Sequence, residues 1–320
     1  MRCQTPLSPS ILIVAALVTL GACNRANEAL EVADSDNAVS DPASPFSYSR
    51  EYVFLTSTPD GPMVVPFDFS ARERGEKIDR SVRGWLARGP VWDRFLDESV
   101  ETSAAGGVWR VVPTTDLSIN VGGTAQIEAI DFDRGERHLR LELSSPLTEW
   151  QQGSETRFRL VQGRLTIGTE VVSGPVLELL RYERTLEDGW PPDQDFDALF
   201  LSAGDSTQML LAETLSGDGQ GGGYAWLRTP TAERTWDDGE LRWLEVRAYQ
   251  DARRDIPIRW SYRIPGAEVA GELESLGFDA TLGPERGGQR AVEIHYTVSG
   301  WMEIGGERRD VVGIIRHTQQ

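Results

Sequence analysis

Apolar and polar residues alternate along most of the chain from Ser47 onward. In the clearest segment, residues 256–264, every second side chain is large and apolar or aromatic, as in Ile256, Ile258 and Trp260. The same alternation recurs in further segments, at residues 63–70, 139–144, 158–167 and 241–249. A period of two is typical of half-buried antiparallel strands, which turn one face to a core and the other to water. The pattern therefore predicts a chain built mainly of antiparallel sheets.

Two short segments have helical spacing instead. Ile78, Val82, Trp85 and Leu86 recur at spacings of three and four residues, and residues 91–98 form a second candidate helix. Helices and strands do not alternate regularly along the sequence, which argues against a doubly wound α/β fold. We therefore predict an all-β protein with few short helices.

The sequence also contains an internal repeat. Gly163 and Gly300 lie 137 residues apart, and the neighbouring apolar, glycine and glutamate positions match at the same separation. The matching residues are Val161, Leu165, Ile167, Gly168 and Glu170 with Val298, Met302, Ile304, Gly305 and Glu307. A duplication is favoured over two hairpins that converged on similar turn chemistry. It predicts one β unit over residues 47–190 and a second over residues 191–320.

The N-terminus has the composition of an export signal. Residues 1–22 contain one base, Arg2, followed by an uncharged apolar stretch that is shorter than the roughly 20 residues of a membrane-spanning helix. Leu20-Gly21-Ala22-Cys23 resembles the lipobox of bacterial lipoproteins, which implies that the chain is cut before Cys23 and acylated there. The alternative is a simple secretory signal with a fortuitous cysteine. Asn24, where an aspartate favours inner-membrane retention, implies anchoring in the outer membrane, facing the periplasm.

Residues 23–46 are small and acidic and contain few large apolar side chains, so they are predicted to form a flexible tether. The predicted location is therefore the bacterial cell envelope. Contact with the membrane would be made only through the N-terminal lipid.

Charge and cysteine content exclude several function classes. The chain has 50 acidic and 32 basic residues, a net charge of −18, which argues against binding to nucleic acid. Its two cysteines, Cys3 and Cys23, both precede the predicted β units, so no disulfide framework or thiol nucleophile is available there. The three histidines are far apart in sequence, and we expect them on surfaces or barrel walls. No metal and no cofactor is predicted.

Several segments, taken in order, resemble a known family. They are Val172-Ser173-Gly174, Gly223-Tyr224-Ala225-Trp226-Leu227, Asp238-Gly239-Glu240-Leu241, Arg259-Trp260-Ser261-Tyr262-Arg263-Ile264-Pro265 and Val298-Ser299-Gly300. Together they resemble the double-lipocalin family of carotenoid 1,2-hydratase (hydroxyneurosporene synthase) and AttH-like proteins. The resemblance implies two consecutive lipocalin-like antiparallel β-barrels. The sequence departs from the family at Ala225 and at residues 175–178, where the family carries acids.

Glu178 is the candidate catalytic residue. In a strand it shares one face with Val176 and Leu180, and a carboxyl group among apolar side chains holds its proton more strongly. Such a group could be the general acid that hydration of an alkene or a hydrolysis requires. The alternative is an ordinary strand glutamate at a barrel rim or facing solvent.

Aromatic residues supply the candidate ligand-binding site. The chain has 10 tryptophans, several of them in the second predicted unit. The candidate ligand-binding residues are Trp226, Trp243, Trp260 and Tyr249, with Arg228 as a polar partner. The alternative is core packing between the two β units.

These patterns favour a lipid-anchored envelope protein that binds a hydrophobic small molecule in a lipocalin-like barrel. One alternative is a carotenoid 1,2-hydratase-like or hydrolase-like enzyme that acts on an isoprenoid or another apolar substrate. Another is a structural envelope lipoprotein. Fold alone does not decide among them.

Overall fold

The structure, a computed structural model, describes residues 46–74, 76–103, 115–122, 126–152, 156–184, 195–204, 206–215 and 223–320. The predicted signal peptide, Cys23, nearly all of the predicted tether and the predicted division between residues 190 and 191 lie outside these ranges. Among the described residues, no helix is long and apolar enough to cross a membrane. The described residues within 46–120 and 127–320 form one compact unit.

The first nine strands form one antiparallel sheet, which we call the first barrel. Neighbours in sequence pair with each other except for β4 and β5, and the last strand, β9, returns to pair with β1. The edge strands of the sheet are β4 and β5. The strands are β1 Phe46–Thr58, β2 Gly61–Arg74, β3 Lys77–Arg88, β4 Val91–Ser103, β5 Leu117–Val121, β6 Ile127–Arg134, β7 Arg137–Gln152, β8 Thr156–Ile167 and β9 Glu170–Arg184.

The next nine strands form the second barrel with the same order of pairing, so that β18 returns to pair with β10. A short 3-10 helix, Pro265–Ala267, precedes β16. The strands are β10 Asp195–Ala203, β11 Thr207–Leu215, β12 Gly223–Arg228, β13 Glu233–Trp236, β14 Glu240–Tyr249, β15 Arg254–Ile264, β16 Val269–Arg286, β17 Gln289–Ile304 and β18 Glu307–Gln319. The all-β prediction is confirmed.

The 137-residue repeat falls on equivalent hairpins of the two barrels. Gly168 lies in the turn between β8 and β9, and Gly305 lies in the turn between β17 and β18. Their φ angles are +57° and +58°, a left-handed conformation that glycine adopts without strain. Identical strand order and matching turns support duplication of a nine-strand unit.

The two predicted helices are wrong, because both segments are strands. Residues 78–86 lie within β3 and residues 91–98 within β4. Val82 and Leu86 pack in the first-barrel core, whereas Trp85 is fully buried on the opposite face of β3. Because β3 is covered on both faces here, the apolar residues of its two faces together give the spacing that resembles a helix.

Three apolar clusters hold the fold together. One lies inside the first barrel, a second lies inside the second barrel, and a third lies between the two sheets. β1 serves two of them, since Tyr52 and Phe54 face into the first barrel while Val53 and Leu55 join the third cluster. A strand buried on both faces needs a continuous apolar run, which residues 52–55 provide.

Candidate functional site

A buried Asp-His pair lies inside the second barrel. Asp197 on β10 and His317 on β18 are directly opposite each other in the sheet register. Asp197 Oδ1 lies 2.5 Å from His317 Nδ1, and neither side chain has any exposed area. Both residues are on the strand face that carries the apolar core, with Leu199 and Ile315. The pair is therefore a polar group set into an apolar wall.

Trp243 completes the hydrogen bonding of the carboxylate. Its indole Nε1 donates to Asp197 Oδ2 at 2.6 Å, so that both oxygens of Asp197 have a partner. The indole ring also packs edge-on against His317, with 5.3 Å between ring centroids. Trp243 comes from the edge strand β14 and is half-buried, unlike the pair that it covers.

Further aromatic rings surround the pair. Trp260 packs edge-on against Tyr296 at 5.1 Å, and Tyr296 lies 6.5 Å from His317. Phe278 contacts Tyr296 at 5.6 Å and Tyr249 at 5.7 Å. The structure therefore brings together three of the predicted ligand-binding residues, namely Trp243, Trp260 and Tyr249.

Several polar atoms of this cluster have no protein partner. They are His317 Nε2, Trp260 Nε1 and Tyr296 Oη, and all three are buried. Burial raises the pKa of the Tyr296 hydroxyl, and the charge of Asp197 raises it further. A buried donor or acceptor without a partner costs about 1–3 kcal/mol. A ligand that supplies hydrogen-bonding partners would recover part of that cost.

The pairing also determines what His317 can do chemically. Because Asp197 accepts a hydrogen bond at Nδ1, the proton of a neutral imidazole is assigned to Nδ1 and the lone pair to Nε2. An oriented imidazole with a free Nε2 can accept a proton, and the neighbouring carboxylate then stabilises the imidazolium. Among the described residues, no three histidine, cysteine, aspartate or glutamate side chains are grouped so that they could hold a metal ion.

Trp226 and Arg228 lie apart from this cluster. Trp226 belongs to the apolar cluster between the sheets, where it stacks on Trp150 at 4.3 Å and donates to Glu233 at 3.2 Å. Arg228 donates to Gln208 at 3.3 Å. Trp226 therefore packs between the two β units, which was the alternative to ligand binding in the sequence analysis. Neither Trp226 nor Arg228 contacts the Asp-His pair.

Glu178 lies inside the first barrel and is 4% exposed. It accepts hydrogen bonds at Oε1 from Arg50 Nε at 2.6 Å and from the Tyr52 hydroxyl at 2.8 Å. Arg159 forms an ion pair with Oε2. The apolar surroundings on which the general-acid prediction depends are therefore replaced by two guanidinium groups, and the carboxylate does not face solvent.

A cavity of about 480 Å³ opens in the first barrel. Phe95, Phe132 and Ile167 form its apolar part, and Arg134 and Arg137 lie at its rim. Both arginines are already paired with carboxylates, which are Glu98, Asp116 and Asp93. Gly168, which also lines the cavity, is ten residues before Glu178, so the cavity and Glu178 lie toward opposite ends of the barrel.

Sequence reasoning missed Asp197 and His317. Each has a weak signal, because each is a polar residue at the end of an alternating apolar run, as in Asp197, Leu199 and Leu201. Their pairing has no local signal, since 120 residues separate them.

Comparison with known proteins gives a fold and no sequence family. No family model and no curated protein sequence matches the chain. An AttH-like protein from Nitrosomonas europaea is similar in structure, with a TM-score of 0.61 and 12% identity over 88% of this chain and 95% of that one. Kievitone hydratase from Nectria haematococca has a TM-score of 0.56 and 11% identity, covering 89% of this chain and 92% of that one.

A third similar structure is CghA with Sch210972, with a TM-score of 0.51 and 13% identity over 85% of this chain and 88% of that one. Identities this low establish the fold alone. The three structures have double-lipocalin-like folds. The chain therefore folds as two consecutive lipocalin-like antiparallel barrels, as its resemblance to the double-lipocalin family implied.

Proposed function

We propose that the second barrel binds a hydrophobic small molecule that carries at least one hydrogen-bonding group. The observation that carries the proposal is the set of buried, unpartnered polar atoms on Trp260, Tyr296 and His317, placed on neighbouring rings. Ligand sites in proteins combine apolar and aromatic walls with a few polar groups that fix orientation. The second barrel has both features.

Access to these atoms requires a local movement. Asp197, His317 and Trp260 are fully buried, whereas Trp243 is half-buried and sits on an edge strand. The register of β14 is irregular on the C-terminal side of Trp243, which weakens the hold of its partner strand there. Displacement of the Trp243 side chain is therefore the shortest route by which a ligand reaches the Asp-His pair.

Tryptophan fluorescence tests this proposal with a polyene alcohol as the probe, so that the ligand carries a hydrogen-bonding group. We expect saturable quenching by the wild type and weaker binding by Trp260→Phe, by about 1 kcal/mol, because the variant keeps a ring and loses the indole donor. Trp301→Phe is the matched control, since Trp301 packs under Arg308 and is not part of the second-barrel core. Absence of saturable quenching by the wild type would contradict the proposal and favour the structural-lipoprotein alternative.

The Asp-His pair favours a second candidate function, a hydratase-like or hydrolase-like enzyme. In an addition of water, His317 Nε2 would take a proton from water while the hydroxyl group bonds to the substrate, and the imidazolium would then return the proton to the substrate. Kievitone hydratase, by its name, catalyses a hydration on the same fold. This similarity supports the candidate at the level of fold.

Incubation of the protein with a polyene in ¹⁸O-labelled water distinguishes the two candidates. Incorporation of label by the wild type, lost in His317→Gln and retained in Glu178→Gln, would establish turnover at the second barrel. Quenching without incorporation of label would leave binding as the function for that class of ligand.

We further propose that Cys23 anchors the protein to the bacterial envelope through a lipid, with the outer membrane facing the periplasm as the location. The sequence Leu20-Gly21-Ala22-Cys23 supports this proposal. Several acyl chains give stable anchoring, because each buried CH₂ group contributes about 0.8 kcal/mol. Wild type grown with a radiolabelled fatty acid should incorporate it and Cys23→Ser should not. Label in the variant, or none in the wild type, would contradict the lipid anchor.

A further inference from the structure

The cluster around Glu178 carries more positive than negative charge. Arg50 and Arg159 both form ion pairs with this one carboxylate, and Tyr52 donates a hydrogen bond to it. All of these groups are withdrawn from water, with the side chains of Arg50, Arg159 and Glu178 only 16%, 8% and 6% exposed. Among the residues that the structure describes in the first barrel, two guanidinium groups thus share a single counter-ion.

The hydrogen-bond donors also exceed the acceptors. A guanidinium group has five N–H donors, so Arg50 and Arg159 present ten between them. Glu178 Oε1 already accepts from Arg50 and from Tyr52, and Oε2 pairs with Arg159, whose Nε is buried without a partner among the described residues. One carboxylate cannot satisfy this set. A second planar anion would provide both the missing negative charge and the missing acceptors.

Such a cluster is costly unless something compensates for it. Withdrawing a charge from water costs several kcal/mol per ion, and an unbalanced cluster recovers less of that cost than a matched ion pair. The rest of the chain works against attracting anions, because its net charge is −18. The excess positive charge at Arg50 and Arg159 is therefore confined to this cluster and is not a general property of the protein.

The surroundings of the cluster define the rest of the ligand. Tyr52 faces into the first-barrel core, together with Phe54, Phe67 and Phe69. Its ring packs edge-on against Phe69 at 6.2 Å. Arg50 is the most exposed member of the cluster, so the charged end of the site is the end nearer to solvent. We propose that Arg50 and Arg159 bind the carboxylate of an amphipathic ligand whose apolar part enters the first barrel.

This site is independent of the one proposed in the second barrel. It lies on different strands, and its ligand-binding groups are cationic, whereas the charged group of the second-barrel site is the carboxylate of Asp197. Its test uses the full-length chain, with decanoate as the probe and 1-decanol as the neutral compound of equal chain length. Isothermal titration calorimetry measures both affinities. We expect decanoate to bind at least about tenfold more tightly than decanol, since a charge-assisted bidentate contact is available only to the carboxylate. Equal affinities, or no binding of decanoate, would overturn the proposal without any variant.

Two variants locate the site. Arg159→Met keeps the length of the side chain and removes its charge, so the preference for decanoate should disappear. Glu178→Gln removes the competing anion, so decanoate should bind about tenfold more tightly than it does to the wild type. A purely structural role for Glu178 would not produce that gain. A preference that survives Arg159→Met, or an affinity that does not rise in Glu178→Gln, would overturn the proposal.

Two controls exclude other sites. Arg140→Met removes an exposed arginine, paired with Asp131 and Glu142, and should leave decanoate binding unchanged. Trp260→Phe should also leave it unchanged. If decanoate binding follows Trp260→Phe instead, the probe occupies the second barrel and the first-barrel site is disproved.

Discussion

The two barrels place a buried polar pair at the same point of the fold. In each barrel a glycine of the last strand lies against a backbone carbonyl of the first strand. A Cβ atom added at Gly174 or at Gly313 would come within 2.3 Å of the carbonyl oxygen of Leu55 or Phe200 respectively. Tyr52 and Asp197 each lie three residues before the carbonyl of their own barrel. Their partners in the sheet register, Glu178 and His317, each lie four residues after the glycine.

The chemistry at this shared point differs between the barrels. In the first barrel an acid on the last strand meets a phenol and two guanidinium groups. In the second barrel the acid is on the first strand, and it meets an imidazole and an indole. The barrel thus fixes where a polar pair sits, while the residue types decide whether the site suits an anion or proton transfer. Duplicated barrels can diverge in function at this point without any change of fold.

The largest expected effect comes from removing the acid of the first barrel. Glu178→Leu leaves Arg50 and Arg159 buried without a counter-ion, which should cost about 3–5 kcal/mol of unfolding free energy in urea denaturation. Glu142→Leu is the matched control, because Glu142 forms only exposed ion pairs and its loss should cost less than about 1 kcal/mol. Similar losses of unfolding free energy for the two variants would show that Arg50 and Arg159 do not need Glu178 as a counter-ion.

The next effect is a loss of stability in acid, caused by His295, which packs against Trp85 where the two barrels meet. The pKa of His295 is lowered from 6.5 to about 4, mainly because the imidazole is buried; Arg316 and Arg83 contribute to the lowering and Glu293 opposes it. Since the folded protein binds this proton less well than the unfolded chain, stability should fall as the pH drops from about 6.5 towards about 4. One lowered pKa of this size corresponds to roughly 3 kcal/mol.

Thermal unfolding at pH 7 and at pH 4.5 measures this acid sensitivity, with His295→Phe as the comparison. Phenylalanine keeps a ring against Trp85, which lies 4.8 Å from His295. The pKa of Glu293 is also held well below its usual value, since Arg316 and Arg83 outweigh its burial, and this effect adds to the loss in acid. His295→Phe should therefore reduce the acid sensitivity without abolishing it. An unchanged pH dependence would show that His295 is not a main cause.

The smallest expected effect comes from removing the acid of the second barrel. Asp197→Leu leaves two neutral donors, Trp243 Nε1–H and His317 Nδ1–H, without an acceptor, which should cost about 1–3 kcal/mol. The loss should be smaller than for Glu178→Leu under the same urea conditions, because no charge is left unpaired. An equal or larger loss would remove the distinction between a first barrel in which the acid pairs with cations and a second barrel in which it pairs with neutral donors.

Local patterning was sufficient to predict the all-β class and the duplicated unit, while the two lipocalin-like barrels were predicted from the family resemblance. Alternating runs such as residues 256–264 predicted strands, because side chains of a strand point to opposite faces in turn. The repeated turn at Gly168 and Gly305 predicted a duplicated unit, since glycine alone adopts that left-handed backbone without strain. The prediction failed at β3, because a strand that is covered on both faces carries apolar residues at odd and even positions and so loses the period of two that the prediction uses.

The candidate site could be predicted only in part. The tryptophan content of the second unit indicated Trp243 and Trp260, which do surround the Asp-His pair. It equally indicated Trp226, which packs between the sheets. A tryptophan inside the barrel and one between the sheets cannot be distinguished in sequence. Where a strand is apolar on both faces, its sequence does not show which face is the barrel interior.

By itself, then, the sequence determined that the chain is built mainly of strands, which turn repeats, and that no cysteine is available to the folded barrels. Only the tertiary structure decided which polar residues meet. A constant separation of 137 residues would match Glu178 with Ile315, but two more residues separate Gly305 from Gly313 than separate Gly168 from Gly174, so Glu178 corresponds to His317. Closing each barrel pairs its first strand with its last, and that contact between residues more than 100 positions apart creates both buried sites.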